Sequence, residues 1–146
     1  HMNPRTVALG ADHAGYSYKE IIRASLEREG YAVLDFGTDS EDSVDYPDFV
    51  HPAMEAIEGG KADIGIILCG TGNGVAITAN KHTGIRAALC WSEEITELAR
   101  QHNDANVLAL PTRFISRDEA LAMVNTFLST PFEGGRHSRR VGKIPC

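Results

Sequence analysis

The sequence predicts a doubly wound α/β fold. Three observations carry this reading: five short apolar, β-branched runs, longer amphipathic stretches alternating with them, and two unusual polar motifs at the carboxyl ends of the first and third runs. Runs buried on both faces and joined by crossover helices read as parallel strands. The expected architecture is a three-layer, Rossmann-like sheet of five parallel strands with helices on both faces.

The first strand is Val7 to Gly10, and Asp12-His13-Ala14-Gly15 follows it. Tyr18 to Glu29 then sets Ile21, Ile22, Ser25 and Leu26 at helical spacing and stops at Gly30, a common residue after a helix end. Ala32 to Phe36 is the second strand. Asp39 to Asp45 is an acidic, Ser-containing loop without regular ligand spacing, and it reads as solvated surface, not a metal site. Pro47 to Ile57 is the second helix and Ile64 to Leu68 the third strand. Cys69-Gly70-Thr71-Gly72-Asn73-Gly74 comes next, leading into a helix from Gly74 to Asn80. Strands at Ile85 to Leu89 and Val107 to Leu110 and helices at Ser92 to His102 and Ser116 to Leu128 complete the pattern. Ser92-Glu93-Glu94-Ile95 resembles a capped start, and Ser116-Arg117-Asp118-Glu119 has the capping-box pattern. No repeat or linker interrupts the chain, so residues 1–146 are expected to form one domain, with residues 131–146 as a basic tail.

The length of 146 residues and the balance of apolar and charged residues suit one core. No apolar run approaches the ~20 residues of a membrane-spanning helix, and no membrane association is expected. His1-Met2-Asn3-Pro4 lacks the regions of a signal peptide, with His1 reading as a cloning remnant. Cys69, Cys90 and Cys146 are too few and scattered for a disulfide framework, and none forms a CxxC pair suited to zinc. A reducing cytoplasm is expected. The net charge of −6 argues against a broad nucleic-acid surface, while leaving room for a local basic cluster that holds a small anion.

Ligands on open parallel sheets bind beyond the carboxyl ends of the strands, where the strand order reverses. If the order is 2-1-3-4-5, the Asp12 and Cys69 motifs face each other across that point. Glycines at 70, 72 and 74 let the backbone turn tightly and bring N–H groups near a ligand, as an anion or oxyanion cradle; the alternative is a sterically tight turn. The loop lacks the Lys of a Walker motif and its spacing is not GxGxxG, which disfavours nucleoside triphosphates and dinucleotides. Cys69 heads this loop, a setting that suits a reactive thiolate; the alternative is an inert small hydrophobe ending a buried strand. No Arg lies between Gly70 and Ala79, so a Cys-dependent phosphatase loop is not formed. Cys90 and Cys146 lack a comparable setting.

Asp12-His13 offers groups that orient a catalytic residue or contact substrate hydroxyls and phosphate, or else Asp12 merely caps the first helix. His102-Asn103-Asp104 reads equally as a helix-ending turn and as a source of an acid or base near neutral pH. Gly134-Gly135-Arg136-His137-Ser138-Arg139-Arg140 concentrates positive charge in an acidic chain. Arg136 and Arg140 share a face if the segment is helical, and their donor forks match phosphate oxygens; a solvated basic tail is the alternative.

Taken together, Gly10-Ala11-Asp12-His13-Ala14-Gly15, Asp45-Tyr46-Pro47, Ile67-Leu68-Cys69-Gly70-Thr71-Gly72-Asn73-Gly74, Ala79-Asn80-Lys81, Gly84-Ile85-Arg86-Ala87, Arg100 to Val107 and Glu133-Gly134-Gly135-Arg136-His137 resemble the type B ribose-5-phosphate isomerase family, which also includes galactose- and allose-6-phosphate isomerases. The resemblance implies an aldose-ketose isomerase that interconverts D-ribose 5-phosphate and D-ribulose 5-phosphate through an enediolate. Cys69 matches the base that moves the proton between C2 and C1, Thr71 the hydroxyl that helps move the proton between O1 and O2, and His102 the residue that assists ring opening. The amides of Gly70, Gly72, Asn73 and Gly74 would stabilise the enediolate oxygen. Asp12 and Tyr46 would contact the sugar, Asn103 the region of the reacting oxygens, and His13, Arg113, Arg136 and Arg140 the phosphate.

The resemblance further implies a homodimer with sites shared across the interface, His102, Asn103 and the C-terminal arginines entering the partner's loop, with tetramers of dimers left open. It implies no metal and no organic cofactor. Val75 stands where one family branch carries a Glu base, which puts this chain in the Cys branch. Alternatives are a six-carbon or four-carbon sugar phosphate, with Trp91 and Asn73 as candidates for trimming the pocket, and a non-catalytic sugar-phosphate-binding module. A thiol-dependent redox protein would need a resolving cysteine near Cys69, and none is there.

Overall fold

A computed structural model describes residues 4–146; the expected cloning remnant His1 lies outside the described residues. The described chain runs β1 (Thr6–Ala11), α1 (Tyr16–Arg28), β2 (Ala32–Asp35), α2 (Pro47–Glu58), β3 (Ile64–Cys69), α3 (Asn73–Ala79), β4 (Ala87–Leu89), α4 (Glu93–Asn103), β5 (Val107–Pro111), α5 (Arg117–Ser129) and α6 (Arg136–Gly142). Five parallel strands form one sheet in the order β2-β1-β3-β5-β4. The 2-1-3-4-5 order does not hold, because β5 inserts between β3 and β4. Burial gives the reason: every residue of β5 is buried, as a strand flanked on both sides requires, whereas the three residues of β4 are only half-buried and form an edge. Since β1 and β3 remain neighbours, the switch point stays between them.

Period-two alternation divides the core between the two faces of the sheet. Val7, Leu9, Ile64, Ile66, Leu68, Leu108 and Leu110 point toward Ile22 and Leu26 of α1, Ala99 of α4 and Met123, Val124 and Phe127 of α5. Ala8, Ile67, Cys69, Val107 and Ala109 point the other way, toward Val50, Ala53 and Met54 of α2 and Val75 and Ala79 of α3. Full burial of a side chain such as Phe127 or Leu26 contributes roughly 1.5–3 kcal/mol. On the second face α2 approaches β1 so closely that a Cβ on Gly10 would lie 2.5 Å from the Phe49 carbonyl oxygen. The inward residues of β3 thus place Cys69 in the α2/α3 layer at the strand's carboxyl end.

Helix boundaries follow local chemistry. The capping box of α5 is formed: Ser116 Oγ accepts from the Glu119 N–H, and the Glu119 carboxylate accepts from the Ser116 N–H. Ser92 Oγ accepts from the Ile95 N–H at the start of α4. The first helix begins at Tyr16, two residues before the predicted Tyr18, because the turn from Asp12 to Gly15 leads straight into it. The basic tail forms a helix, so Arg136 and Arg140 do stand one turn apart. No described helix is long and apolar enough to cross a membrane.

Candidate active site

Three strand ends meet at the switch point. Ala11 pairs with Leu68, and Cys69 pairs with Pro111, so the segments beginning at Asp12, Gly70 and Thr112 leave the sheet side by side. Asp12 is buried, and its Oδ1 accepts hydrogen bonds from the N–H groups of Ala14 and Gly15 at 3.0 and 3.1 Å. This closes the turn before α1 without capping the helix itself, whose N-cap is Gly15. His13 Nδ1 accepts from the Val44 N–H at 3.2 Å, which leaves Nε2 to carry the proton of the neutral ring.

Cys69 is buried, with its sulfur accepting a hydrogen bond from the Gly72 N–H at 3.2 Å. The loop can fold back onto the sulfur because Gly72 has φ 74°, in the left-handed region that glycine enters without a Cβ penalty. Thr71 Oγ1 accepts from the Asn73 N–H at 3.3 Å, and both residues are exposed. Tyr46, at the start of α2, lies against Gly74, where a Cβ would sit 2.5 Å from the ring. Arg113 covers the other side of the loop: its N–H donates to the Gly70 carbonyl at 3.0 Å, and a Cβ on Gly70 would lie 2.9 Å from Nε. A cation, a phenol, a buried carboxylate and a thiol therefore border one run of backbone amides.

Thr112 is a tie that sequence reasoning missed. Its hydroxyl lies 3.0 Å from the Ala14 carbonyl and 3.2 Å from the Cys69 carbonyl, binding the first loop to the third. Its partner Ala14 is 98 positions away, and nothing in the local sequence signals the contact.

The remaining candidates lie elsewhere. Because α4 runs antiparallel to the strands, His102 and Asn103 in its last turn sit beside the beginning of β5, while Cys69 pairs with its end. Four strand steps of ~3.3 Å put about 13 Å of sheet between these levels. Arg100, buried against α5, pins the turn: its Nη1 donates to the Ala105 carbonyl at 2.6 Å and to Asp104 Oδ1 at 3.1 Å, and its Nε donates to the Thr130 carbonyl. Asp104 ends the helix in the left-handed region, at φ 47°. His102, Asn103 and Arg140 line one cavity of about 340 Å³ with His137, next to exposed Arg136. Burial first, then the charge of His102, holds the His137 imidazolium below the ordinary histidine range.

A doubly wound sheet with a thiol and a glycine-rich run of amides at its switch point has the groups that could receive a small anion and move a proton. Residues 7–144 match the family described as Ribose/Galactose Isomerase, and the chain belongs to that family. It is 43% identical over 140 residues to ribose-5-phosphate isomerase B of Escherichia coli, an alignment covering 96% of this chain and 94% of the relative. The structure is similar to that of ribose-5-phosphate isomerase B from Clostridium thermocellum, with a TM-score of 0.94, 50% identity and coverage of 95% and 94% of the two chains. It is also similar to the Mycoplasma genitalium enzyme with bound ribulose 5-phosphate, with a TM-score of 0.91, 42% identity and coverage of 95% and 93%.

Proposed function

We propose that this chain is an aldose-ketose isomerase interconverting D-ribose 5-phosphate and D-ribulose 5-phosphate. The observation that carries the reading is Cys69 held at the end of β3 by the Gly72 amide, between Asp12, Tyr46 and Arg113. Membership of the ribose/galactose isomerase family supports it, as do the relatives named for this reaction.

In the open-chain aldose, the Cys69 thiolate removes the proton from C2. The electron pair moves into a C1–C2 double bond, and O1 takes up negative charge. The N–H groups of Gly70, Gly72, Asn73 and Gly74 stabilise this charge as hydrogen-bond donors, those of Gly72 and Asn73 turning to it from Cys69 Sγ and Thr71 Oγ1. Thr71 carries a proton from O2 to O1. Return of the proton from Cys69 to C1 collapses the intermediate to the C2 ketone, and the thiolate is regenerated. Asp12 and Tyr46 hold the sugar, with His13 and Arg113 at the phosphate. No metal or organic cofactor enters these steps.

His102 performs ring opening, with Asn103 beside the reacting oxygens and Arg136 and Arg140 closing on the phosphate, all from a second copy of the chain. Their position at the opposite end of the sheet from Cys69 supports a homodimer with shared sites. The reaction would serve pentose phosphate metabolism, and the three unpaired cysteines support a cytoplasmic setting. The family's breadth keeps six-carbon phosphates as a second reading. Comparing kcat/KM on four-, five- and six-carbon aldose phosphates tests the assignment: the pentose should lead, and a strong preference for another chain length would refute it. A non-catalytic binding module would turn over none of them.

A further inference from the structure

His102, Glu133 and His137 form a group whose metal-binding atoms all lie within 4.8 Å of one another. Glu133 Oε1 is 3.8 Å from His102 Nε2 and 3.6 Å from His137 Nε2. Both separations exceed hydrogen-bond length, so the three groups converge without bonding one another. They come close to the ~3.4 Å that separates two ligands of a tetrahedral zinc ion with bonds of ~2.0–2.1 Å.

We propose that His102, Glu133 and His137 form a binding site for one borderline transition-metal ion, with Zn²⁺ the natural occupant, and that its occupancy withdraws His102 from ring opening. The second half rests on the role given to His102 above; the binding site rests on geometry alone.

The backbone holds the three ligands in place. His102 belongs to the last turn of α4 and His137 to the first turn of α6. Glu133 is fastened to α4 by its own N–H, which donates to the Gln101 carbonyl at 3.1 Å. The two imidazoles are stacked, 4.2 Å between centroids and 10° from parallel, so their lone pairs lie side by side. His137 is fixed by burial, while His102 is 39% exposed and can turn about its soft Cβ–Cγ torsion until its Nε2 lone pair meets that of His137 on one ion beside the carboxylate. Two imidazoles and one carboxylate leave a fourth position open, and the adjoining cavity gives solvent access to it. Arg136 and Arg140 oppose a dication here, and the Glu133 charge offsets them in part. A ring coordinated through Nε2 has no lone pair or proton there to exchange with a sugar oxygen.

The test uses metal-free full-length protein titrated with ZnCl₂ by calorimetry. One ion per chain is expected. Glu133→Gln, an isosteric change on a half-exposed side chain, should weaken binding at least ~10-fold, since even groups that only support ligands cost that much when lost. His137→Gln gives an independent second variant. With zinc bound, turnover of cyclic ribose 5-phosphate should fall ~10²-fold, the low end for loss of a general acid or base, and recover with EDTA. Solvent deuterium exchange at C1 of ribulose 5-phosphate should persist, because a ketose phosphorylated on O5 cannot close a furanose ring. Absence of binding, or binding unchanged by both variants, overturns the site. Equal loss of turnover and exchange places the ion on Cys69 and also overturns it. Binding dependent on Glu133 with undiminished turnover keeps the site and overturns the switch. Metal-free enzyme inert toward every sugar phosphate would refute the isomerase reading and leave the calorimetric result standing.

Discussion

Replacing Gly74 by Ala should lower activity while leaving stability nearly unchanged. Gly74 lies in the first turn of α3 and its φ is not positive, so the backbone accepts Ala. In a helix, Ala is favoured over Gly by ~0.8–1.0 kcal/mol. The new Cβ would stand 2.5, 2.7 and 2.9 Å from three atoms of the Tyr46 ring. To regain ordinary carbon contact near ~3.5 Å the ring must retreat by about 1 Å. Tyr46 is 37% exposed and can swing outward, so the steric cost falls at the low end of the ~1–3 kcal/mol typical of overpacking. Net stability in urea should therefore stay within ~1 kcal/mol of the parent. Activity should not: a 1 Å misplacement of a substrate-positioning group costs ~10²-fold in kcat/KM. The loop amides survive the change, which assigns the loss to Tyr46. Adding Tyr46→Ala to Gly74→Ala should bring little further loss. Parent activity in Gly74→Ala, or fully additive losses in the double variant, would refute the placement of Tyr46 in the sugar site.

Cys69→Ala should lower C2 proton exchange of ribose 5-phosphate by ~10²–10⁴-fold, measured by NMR in D₂O, with the fold unchanged by circular dichroism. Mixing inactive Cys69→Ala with inactive His102→Asn should restore about a quarter of parent activity after subunit exchange, because half of randomly paired dimers regain one of their two sites; no recovery would argue that each chain builds its own site. Gly15→Ala should destabilise the protein by ~3 kcal/mol or more in urea, since its Cβ would sit 2.6 Å from the Leu68 carbonyl oxygen and 2.7 Å from Leu68 Cβ, neither of which can yield. Glu20 accepts hydrogen bonds from Arg23 and Lys19, which hold its carboxyl at about 2, below its unfolded value. A lowered folded pKa stabilises above the unfolded one and fades as pH falls through the folded one. The advantage of the parent over Glu20→Gln, ~1 kcal/mol after solvent screening, should thus hold at neutral pH and vanish between pH ~4.5 and ~2 in acid titrations followed by fluorescence.

The strands were legible because β-branched runs buried on both faces look alike in any α/β chain, and the capping box was legible because Ser116 and Glu119 act within one turn. Sheet order was not, since β4 and β5 are both short and apolar. Its only trace was the uniformly apolar Val107–Pro111 beside a β4 that starts after Arg86 and ends before Cys90 and Trp91. The predicted fourth strand was accordingly too long, starting at Ile85 where the structure begins at Ala87. Of the candidate site, the Asp12, Tyr46, Cys69 and Arg113 segments meet because the three strands they follow or face are adjacent. His102 and the basic tail do not join them within the chain, a separation that follows from the antiparallel course of α4. Glu133 and His137 stood in a recognised motif without a role, because their relation to His102 is a tertiary contact of α6 and the segment before it with α4, not a spacing.

The Thr112 hydroxyl, shared between the carbonyls of Ala14 and Cys69, makes the cradle a property of three central strands at once. Such a site has no partial form. Amides of β1, β3 and β5 beneath it should exchange with solvent only through global opening, and a bound sugar phosphate should slow exchange across the whole sheet by the same free energy, so that ligand occupancy sets the lifetime of the chain against proteolysis.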